Sequence, residues 1–107
     1  MRLKKLRNDE YAKYFTDINS RAFSNITRQL KFLAKNNRLP LAIFMRGDII
    51  VQMLQYVYSH SIEKQQRLLS IYANEQNCIC HVLGLPVYLN IKLTKSQIIV
   101  VGEIEWI

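Results

Sequence analysis

The alternation of apolar and polar positions predicts a long amphipathic helix from about Asp17 to Asn36. Apolar residues recur there at steps of three and four, which places them on one arc of a helix that turns about 100° per residue. Those residues are Phe15, Ile18, Ala22, Ile26, Leu30 and Leu33. Thr16 or Asp17 can cap the start by accepting a hydrogen bond from an early backbone N–H. The pair Asn36-Asn37 and then Pro40 predict the end, because proline disfavours helical geometry in the residue before it.

The next segment predicts a buried strand and a second helix. Leu41–Met45 is short and wholly apolar, which is typical of a strand buried on both faces. Asp48 is placed to cap a helix over Ile49–Tyr58, whose apolar residues recur at helical spacing. Ser61 can cap a further helix over Ile62–Ala73. That last segment is rich in Gln and its apolar pattern is weaker, so a helix and a mobile loop both stay open.

The C-terminal part of the chain reads as strands. Cys78–Leu83 and Val87–Leu89 are extended runs, and Gln97–Val101 is a β-branched strand that Gly102 closes. Glu103–Ile107 alternates polar and apolar residues, as a half-exposed edge strand does. Helix, strand, helix, a variable stretch and then strands together predict an α+β domain. Its small mixed β-sheet would be covered by two or three helices.

Length and composition indicate one small domain. A typical domain has roughly 100–150 residues, so residues 15–107 are expected to form a single α+β domain. Residues 1–14 would be a basic N-terminal arm or a short extra helix. Half of the residues are hydrophobic, which excludes a disordered chain. No uncharged apolar stretch approaches the roughly 20 residues of a membrane-spanning helix, and no signal-peptide pattern follows the basic start. No membrane partner is expected, and the two cysteines are expected to be reduced.

Charge changes this picture, because the basic residues are concentrated in the first half of the chain. Residues 1–46 hold eleven Lys and Arg against three Asp and Glu, whereas residues 47–107 hold four against five. A one-sided positive field attracts polyanions or acidic protein surfaces. The same pattern is typical of a solvated helix face that keeps a small protein soluble. The candidate basic contact face, opposite the apolar arc of the first helix, is Arg21, Arg28, Lys31, Lys35 and Arg38.

Catalytic and metal-binding motifs are scarce. Cys78, Cys80 and His81 resemble metal ligands or a cysteine–histidine pair, but strand alternation would place the thiols on one face and the imidazole on the other. The thiols also fit small buried hydrophobic side chains. The chain has three Gly and no nucleotide loop, nucleophile elbow or zinc-protease motif. The sequence therefore predicts no enzyme activity, no cofactor and no metal site.

Nucleic-acid binding is the alternative function that the charge suggests. The basic face could follow a phosphate backbone, and Tyr11 and Tyr14 lie close by in sequence and could stack on bases. No helix-turn-helix, ribonucleoprotein or zinc-finger motif accompanies them. The sequence therefore offers a basic surface without a recognised nucleic-acid-binding motif.

The order of elements resembles the axial domain of the major capsid proteins of tailed bacteriophages. In that family a helix leads to a strand with a proline, then to a helix, a variable loop, a Gly-x-Pro-Val-Tyr segment and a further strand. The corresponding segments here are Leu39–Met45, Ile49–Tyr58, Val82–Leu89 with Gly84-Leu85-Pro86-Val87-Tyr88, and Ile98–Glu103. The resemblance covers about Asp17 to Glu103.

This resemblance implies a non-enzymatic protein that acts by contact with capsid subunits. A full subunit is several times longer and carries the parts that link neighbours, so 107 residues correspond to the axial domain alone. Such a chain would be a shell component, an assembly factor or a competitor, with a capsid protein or its own copy as partner. Its expected location is the host cytoplasm or the virion. Strand addition at an exposed edge is one route of contact; the candidate edge residues are Glu103, Ile104, Glu105 and Trp106.

Overall fold

Helices pack on a small mixed β-sheet in the computed structural model, which describes residues 10–75, 77–93 and 97–104. The predicted α+β class is confirmed. A short π-helix precedes the first long helix, and two further helices separate the first strand from the others. In chain order the elements are the π-helix Tyr14–Ile18, α1 Ser20–Lys35, β1 Arg38–Met45, α2 Gly47–Val57, α3 Ile62–Glu75, β2 Cys80–Val82, β3 Leu85–Leu89 and β4 Ile98–Ile104.

The four strands lie side by side in the order β2-β3-β1-β4. β1 runs parallel to β3 and antiparallel to β4, and β2 pairs antiparallel with β3. A parallel pair needs a long crossover, which α2 and α3 provide between β1 and the later strands. β2 and β4 are therefore the two edges of the sheet, and β4 is the longer edge, with seven residues against three.

α1 begins after Asn19, so the predicted caps Thr16 and Asp17 are wrong. The Asn19 side chain accepts a hydrogen bond from the Ala22 N–H at 3.1 Å, which satisfies one of the free donors of the first turn. At the other end Asn37 has a φ of 57°. This left-handed residue after the last helical turn stops the helix where the asparagine pair predicts its end.

The described N-terminal residues belong to the core. Residues 10–13 are helical and continue into the π-helix, and Tyr11, Tyr14 and Phe15 are buried. Ile18, which the periodicity assigns to the buried arc, is 51% exposed. A π-helix holds more than 3.6 residues per turn, so its side chains leave the arc of α1. Of the predicted arm over residues 1–14, the part from residue 10 packs in the core and residues 1–9 lie outside the described residues.

The starts of α2 and α3 follow different rules. Asp48 is the second residue of α2 and not its cap, because Arg46 occupies the N-cap position without a side-chain hydrogen bond to the helix. The Asp48 Oδ1 atom lies 3.6 Å from Arg46 Nε. Ser61 caps α3 as predicted, since its Oγ accepts from the Lys64 N–H at 3.3 Å. Residues 62–75 are thus a helix and not a loop.

No helix among the described residues is long and apolar enough to cross a membrane.

The core lies on one face of the sheet, so the prediction that the central strand is buried on both faces is wrong. Ile43 and Met45 are buried, whereas Phe44 between them is half-buried. The strand registers place Ile43 beside Val87 and Val100 on the buried face. α1 packs on this face over β1 and β4. The buried residues of α1 and α2 are Ala22, Ile26, Leu33, Ile49, Ile50, Met53 and Leu54.

β2 and β3 form a hairpin with a two-residue turn. Leu83 and Gly84 have φ values of 53° and 80°, the left-handed geometry that a type I′ turn requires at both central positions. β2 is shorter than the predicted strand Cys78–Leu83. The first two residues of the predicted strand precede β2, and its last residue, Leu83, lies in the turn.

β4 is longer than predicted, because Gly102 continues the strand and does not close it. The strand runs to Ile104, so Glu103 belongs to β4 and not to a separate strand. A Cβ at Gly102 would lie 2.7 Å from Leu33 Cδ2. The glycine therefore allows α1 to approach the sheet closely at this point.

Candidate interaction surfaces

The face of the sheet opposite the core has no buried side chain among the described residues, and we call it the open face. Phe44 and Tyr88 stack at its centre, with ring centroids 5.6 Å apart and planes inclined by 28°. Leu39 and Val101 on the neighbouring positions are 52% and 37% exposed. The side chains of the open face are Leu39, Ala42, Phe44, His81, Pro86, Tyr88, Ile99, Val101 and Glu103. Apolar surface of this kind is typical of a site that binds another protein.

A cavity of about 550 Å³ lies at one end of the open face. Phe44 and Tyr88 line it together with Ala73 of α3, Leu89 at the end of β3 and residues 90–92 of the loop that follows. Its volume is in the range of small-ligand pockets. Among the described residues, its lining includes one cation, Lys92, and no carboxylate. The cavity therefore extends the apolar surface of the open face and offers little polar chemistry.

Gln29 of α1 covers part of the free edge of β4. The Arg46 N–H donates to the Gln97 carbonyl at 3.1 Å, and in an antiparallel pair such bonds recur at every second residue. Ile98 and Val100 therefore direct their backbone groups away from β1. Gln29 Nε2 donates to the Ile98 carbonyl at 2.7 Å, and its Oε1 accepts from the Val100 N–H at 2.8 Å. The amide thus takes the place that a further strand would occupy.

The rest of the edge, from residue 102 onward, contains the predicted contact residues. Asn25 holds the covering amide in position, because its Oδ1 accepts a second hydrogen bond from Gln29 Nε2 at 2.8 Å. Of the four candidate edge residues, Glu103 and Ile104 end β4, and Glu105 and Trp106 lie outside the described residues. Gln29 therefore leaves uncovered the end of β4 that carries Glu103.

Three of the five candidate basic residues form one row along α1. Arg21, Arg28 and Lys35 are seven residues apart, so successive members are offset by only about 20° around the helix and by about 10.5 Å along it. Lys31 lies further round the helix, and Arg38 is the first residue of β1. All five are exposed, and α1 contains no Asp or Glu. Arg21, Arg28 and Lys35 of the predicted basic face therefore form a continuous cationic row on α1.

An exposed aromatic ring lies beside this row. Phe32 is 62% exposed and falls between Arg28 and Lys35 on the same side of α1. Tyr11 and Tyr14, predicted to stack on bases, are 3% and 5% exposed and are not available for stacking. A shallow groove of about 380 Å³ is lined by Ser20, Arg21, Ser24, Asn25 and Arg28. We call Arg21, Arg28, Phe32 and Lys35 the basic flank.

The structure places the Cys78 thiol beside His81 and buries the Cys80 thiol. Cys78 precedes β2, so the predicted alternation is wrong for it, and its Sγ lies 4.0 Å from His81 Nδ1. The same thiol donates to the Cys80 carbonyl at 3.2 Å. Burial raises the pKa of the Cys80 thiol to about 12, which keeps it protonated and unreactive at neutral pH. Among the described residues no three His, Cys, Asp or Glu side chains meet as a metal site requires.

The sequence pattern did not single out Gln29 and Phe32 of α1, nor the apolar residues of the open face. A signal for Gln29 and for Phe32 is visible on the helical wheel. Gln29 falls inside the apolar arc, close to Ala22 and Leu33, although it is polar. Phe32 falls among the cations, although it is apolar. Each differs in polarity from the neighbours on its side of the helix, and Gln29 makes its contact outside the helix, with β4.

Protein-family models, curated proteins and solved structures contain no match to the chain. The open face, the partly covered edge and the basic flank are thus interpreted from their own geometry and chemistry.

Proposed function

We propose that this protein acts without catalysis, by protein–protein contact in the assembly of a phage-type shell, as a component, an assembly factor or a competitor. The open face carries the proposal. Phe44 and Tyr88 form a half-buried stacked aromatic pair at its centre, and the exposed Leu39 and Val101 extend the apolar surface toward the β4 edge. Burying such surface against a partner stabilises a complex by roughly 25 cal/mol per Å² of apolar area, before the costs of association.

The polar groups around the open face suit a specific contact. His81 and Glu103 are exposed on the face at opposite edges of the sheet, on β2 and β4. An apolar centre with polar groups at its rim is the usual arrangement of a protein interface. Glu103 also lies on the part of the edge that Gln29 leaves open, so contact through the face and strand addition at the edge can occur together.

The segments that carry the resemblance to capsid axial domains support a shell subunit as partner. Leu39–Met45, Leu85–Leu89 and Ile98–Glu103 lie in three adjacent strands and contribute most of the open face. In the capsid family the axial domain supplies contacts around the centre of a capsomer. A domain with the same order of elements would occupy or imitate that position.

The proposal predicts that a phage or prophage genome carries this gene, and the test is assembly of the major capsid protein that the same genome encodes. The two proteins are mixed at equal concentration, and assembled shells are separated from free subunits by sedimentation. We expect this protein to sediment with the shells or to change their yield. The double variant Leu39→Lys/Val101→Lys places two charges on the open face and is expected to abolish the effect, because buried unpaired charges are costly.

Ile62→Lys is the matched control. Ile62 is 68% exposed at the start of α3 and does not belong to the open face. This variant is expected to behave as the wild type. The proposal fails if the wild-type protein neither sediments with the shells nor changes their yield, or if Ile62→Lys abolishes the effect as fully as the double variant.

A further inference from the structure

We infer that the basic flank is a binding site for single-stranded nucleic acid, with phosphates along Arg21, Arg28 and Lys35 and a base stacked on Phe32. This inference concerns a different surface from the open face and does not depend on the proposed shell contact. It rests on the geometry of α1, on its lack of acidic residues and on one exposed ring.

The cationic row has the dimensions of a short backbone track. From Arg21 to Lys35 the helix rises about 21 Å, with a cation about every 10.5 Å. α1 contains no Asp or Glu, so no carboxylate of this helix neutralises the row. The groove beside Arg21 and Arg28 adds the hydroxyls of Ser20 and Ser24, which can donate hydrogen bonds to phosphate oxygens.

Phe32 distinguishes a nucleic acid from an acidic protein surface. A purely electrostatic contact gains nothing from an aromatic ring, yet Phe32 is 62% exposed between two cations. Base–aromatic stacking combined with a basic track is the usual way in which proteins hold single strands. A duplex hides the faces of its bases, so stacking on Phe32 favours a single strand.

The salt dependence follows from the number of phosphates contacted. Three cations predict a slope of log K against log salt of about −2, since each phosphate contact contributes about −0.7 for single strands. Removal of one cation is expected to reduce the slope by about 0.7. Phe32→Ala is expected to weaken binding about tenfold, at the low end of stacking effects, and to leave the slope unchanged because the ring carries no charge.

The test is fluorescence anisotropy of the whole chain with labelled 20-nucleotide oligo-dT and oligo-U, between about 50 and 200 mM salt. The variants are Arg28→Gln and Phe32→Ala. Both side chains are exposed, so both variants should fold, as circular dichroism will show. A preference between the two oligonucleotides identifies DNA or RNA as the favoured strand, and either result supports the site.

Arg67→Gln is the matched control, because it removes an equal charge from an exposed position on α3. The inference is overturned if oligonucleotides do not bind at about 50 mM salt, or if Arg67→Gln reduces the slope as much as Arg28→Gln. It is also overturned if Phe32→Ala binds as tightly as the wild type, or if duplex DNA or polyglutamate binds as tightly as the single strands. Shell assembly uses the open face, so these outcomes leave the proposed function unaffected.

Discussion

The side-chain amide of Gln29 shows how a single residue can cover part of the edge of a sheet. An edge strand presents unpaired N–H and C=O groups that invite another chain to add a strand. The described part of β4 has no proline and no lysine, and it begins with four consecutive β-branched residues. Gln29 instead offers one donor and one acceptor in the geometry of a neighbouring peptide group, to Ile98 and Val100. The polar residue within the apolar arc of α1 therefore has a structural reason.

Replacement of this amide should both destabilise the fold and expose the edge. We expect Gln29→Ala to lower the free energy of unfolding by about 1–2 kcal/mol, because two backbone groups lose their partner. We also expect concentration-dependent self-association through β4, since its outward groups then become free to pair with a second chain. Urea unfolding measures the first effect and sedimentation velocity the second.

Gln55→Ala is the matched control, since Gln55 is exposed on α2. It should change the free energy of unfolding by no more than about 0.5 kcal/mol, as surface substitutions usually do. A Gln29→Ala variant that is as stable as the Gln55→Ala variant, and monomeric at the same concentrations, would show that the amide does not protect the edge.

Among the elements, the hairpin of β2 and β3 carries a backbone conformation that its sequence does not favour. Leu83 has a φ of 53°, and a side chain with a Cβ pays a steric penalty of roughly 1–2 kcal/mol in the left-handed region. The leucine is also 57% exposed, so it contributes little to the core. Gly84 at the next position adopts the same region at no such cost.

The strain can be relieved by the residue that type I′ turns prefer. We expect Leu83→Asn to raise the free energy of unfolding by about 0.5–1 kcal/mol, because Asn-Gly is the preferred pair for this turn. Thermal unfolding measures the gain. Leu41→Asn applies the same substitution to an exposed leucine outside the left-handed region and should give no gain.

Gly84→Ala tests the same turn in the opposite direction. A Cβ at Gly84 would meet no atom within 4 Å, so any effect comes from the backbone conformation alone. We expect a loss of about 1 kcal/mol. If Leu83→Asn gave no gain and Gly84→Ala no loss, the turn would not have the type I′ geometry in solution.

At the scale of the whole molecule, buried tyrosine hydroxyls and a buried thiol make the free energy of unfolding depend on pH in the alkaline range. Tyr11 of the N-terminal helix is hydrogen bonded to Tyr58 at 2.8 Å between hydroxyl oxygens, and burial raises the pKa of Tyr11 and of Tyr72. Burial likewise raises the pKa of Cys80, to about 12. A raised pKa in the folded state means that the folded chain holds the proton more tightly than the unfolded chain. The stability is then complete below the unfolded pKa and is lost as pH rises above it.

The free energy of unfolding should therefore be level from neutral pH to about 8.5, the unfolded pKa of cysteine, and then fall. At pH 10 we expect Cys80 alone to account for a loss of about 2 kcal/mol, since each unit between the two pKa values corresponds to about 1.4 kcal/mol. Ionisation of Tyr11 and Tyr72 in the unfolded chain adds a further loss above about pH 10. Urea unfolding at a series of pH values measures the curve.

Cys80→Ala identifies the thiol contribution. This variant should show a smaller decline between about pH 8.5 and 10, because the thiol is absent from both states. Val100→Ala leaves a cavity on β4, which β1 and β3 separate from Cys80; it should be less stable at every pH but keep the wild-type decline. Equal declines in Cys80→Ala and the wild type would contradict the assignment.

Local patterns determined which elements form. The three- and four-residue spacing of apolar positions predicted α1 and α2, the Ser61 cap marked α3, and runs of β-branched residues marked β4. These predictions succeed because the backbone hydrogen bonds of a helix, and the alternation of a strand, depend on neighbours in sequence. The basic side of α1 is predictable for the same reason, since a seven-residue spacing alone aligns Arg21, Arg28 and Lys35.

The tertiary structure decided which surfaces remain available. Gln29 finds its partner Ile98 at a separation of 69 residues in the chain, and no local pattern encodes that pairing. The apolar sequence of β1 is compatible with helices on one face of the sheet or on both. Only the placement of the helices therefore leaves Phe44 and Tyr88 on the open face. The exposure of Phe32 and the burial of Tyr11 depend likewise on where α1 and the N-terminal helix pack. The sequence by itself therefore determined the elements and the cationic side of α1, whereas the contacts between distant elements decided the open face, the covered edge and the basic flank.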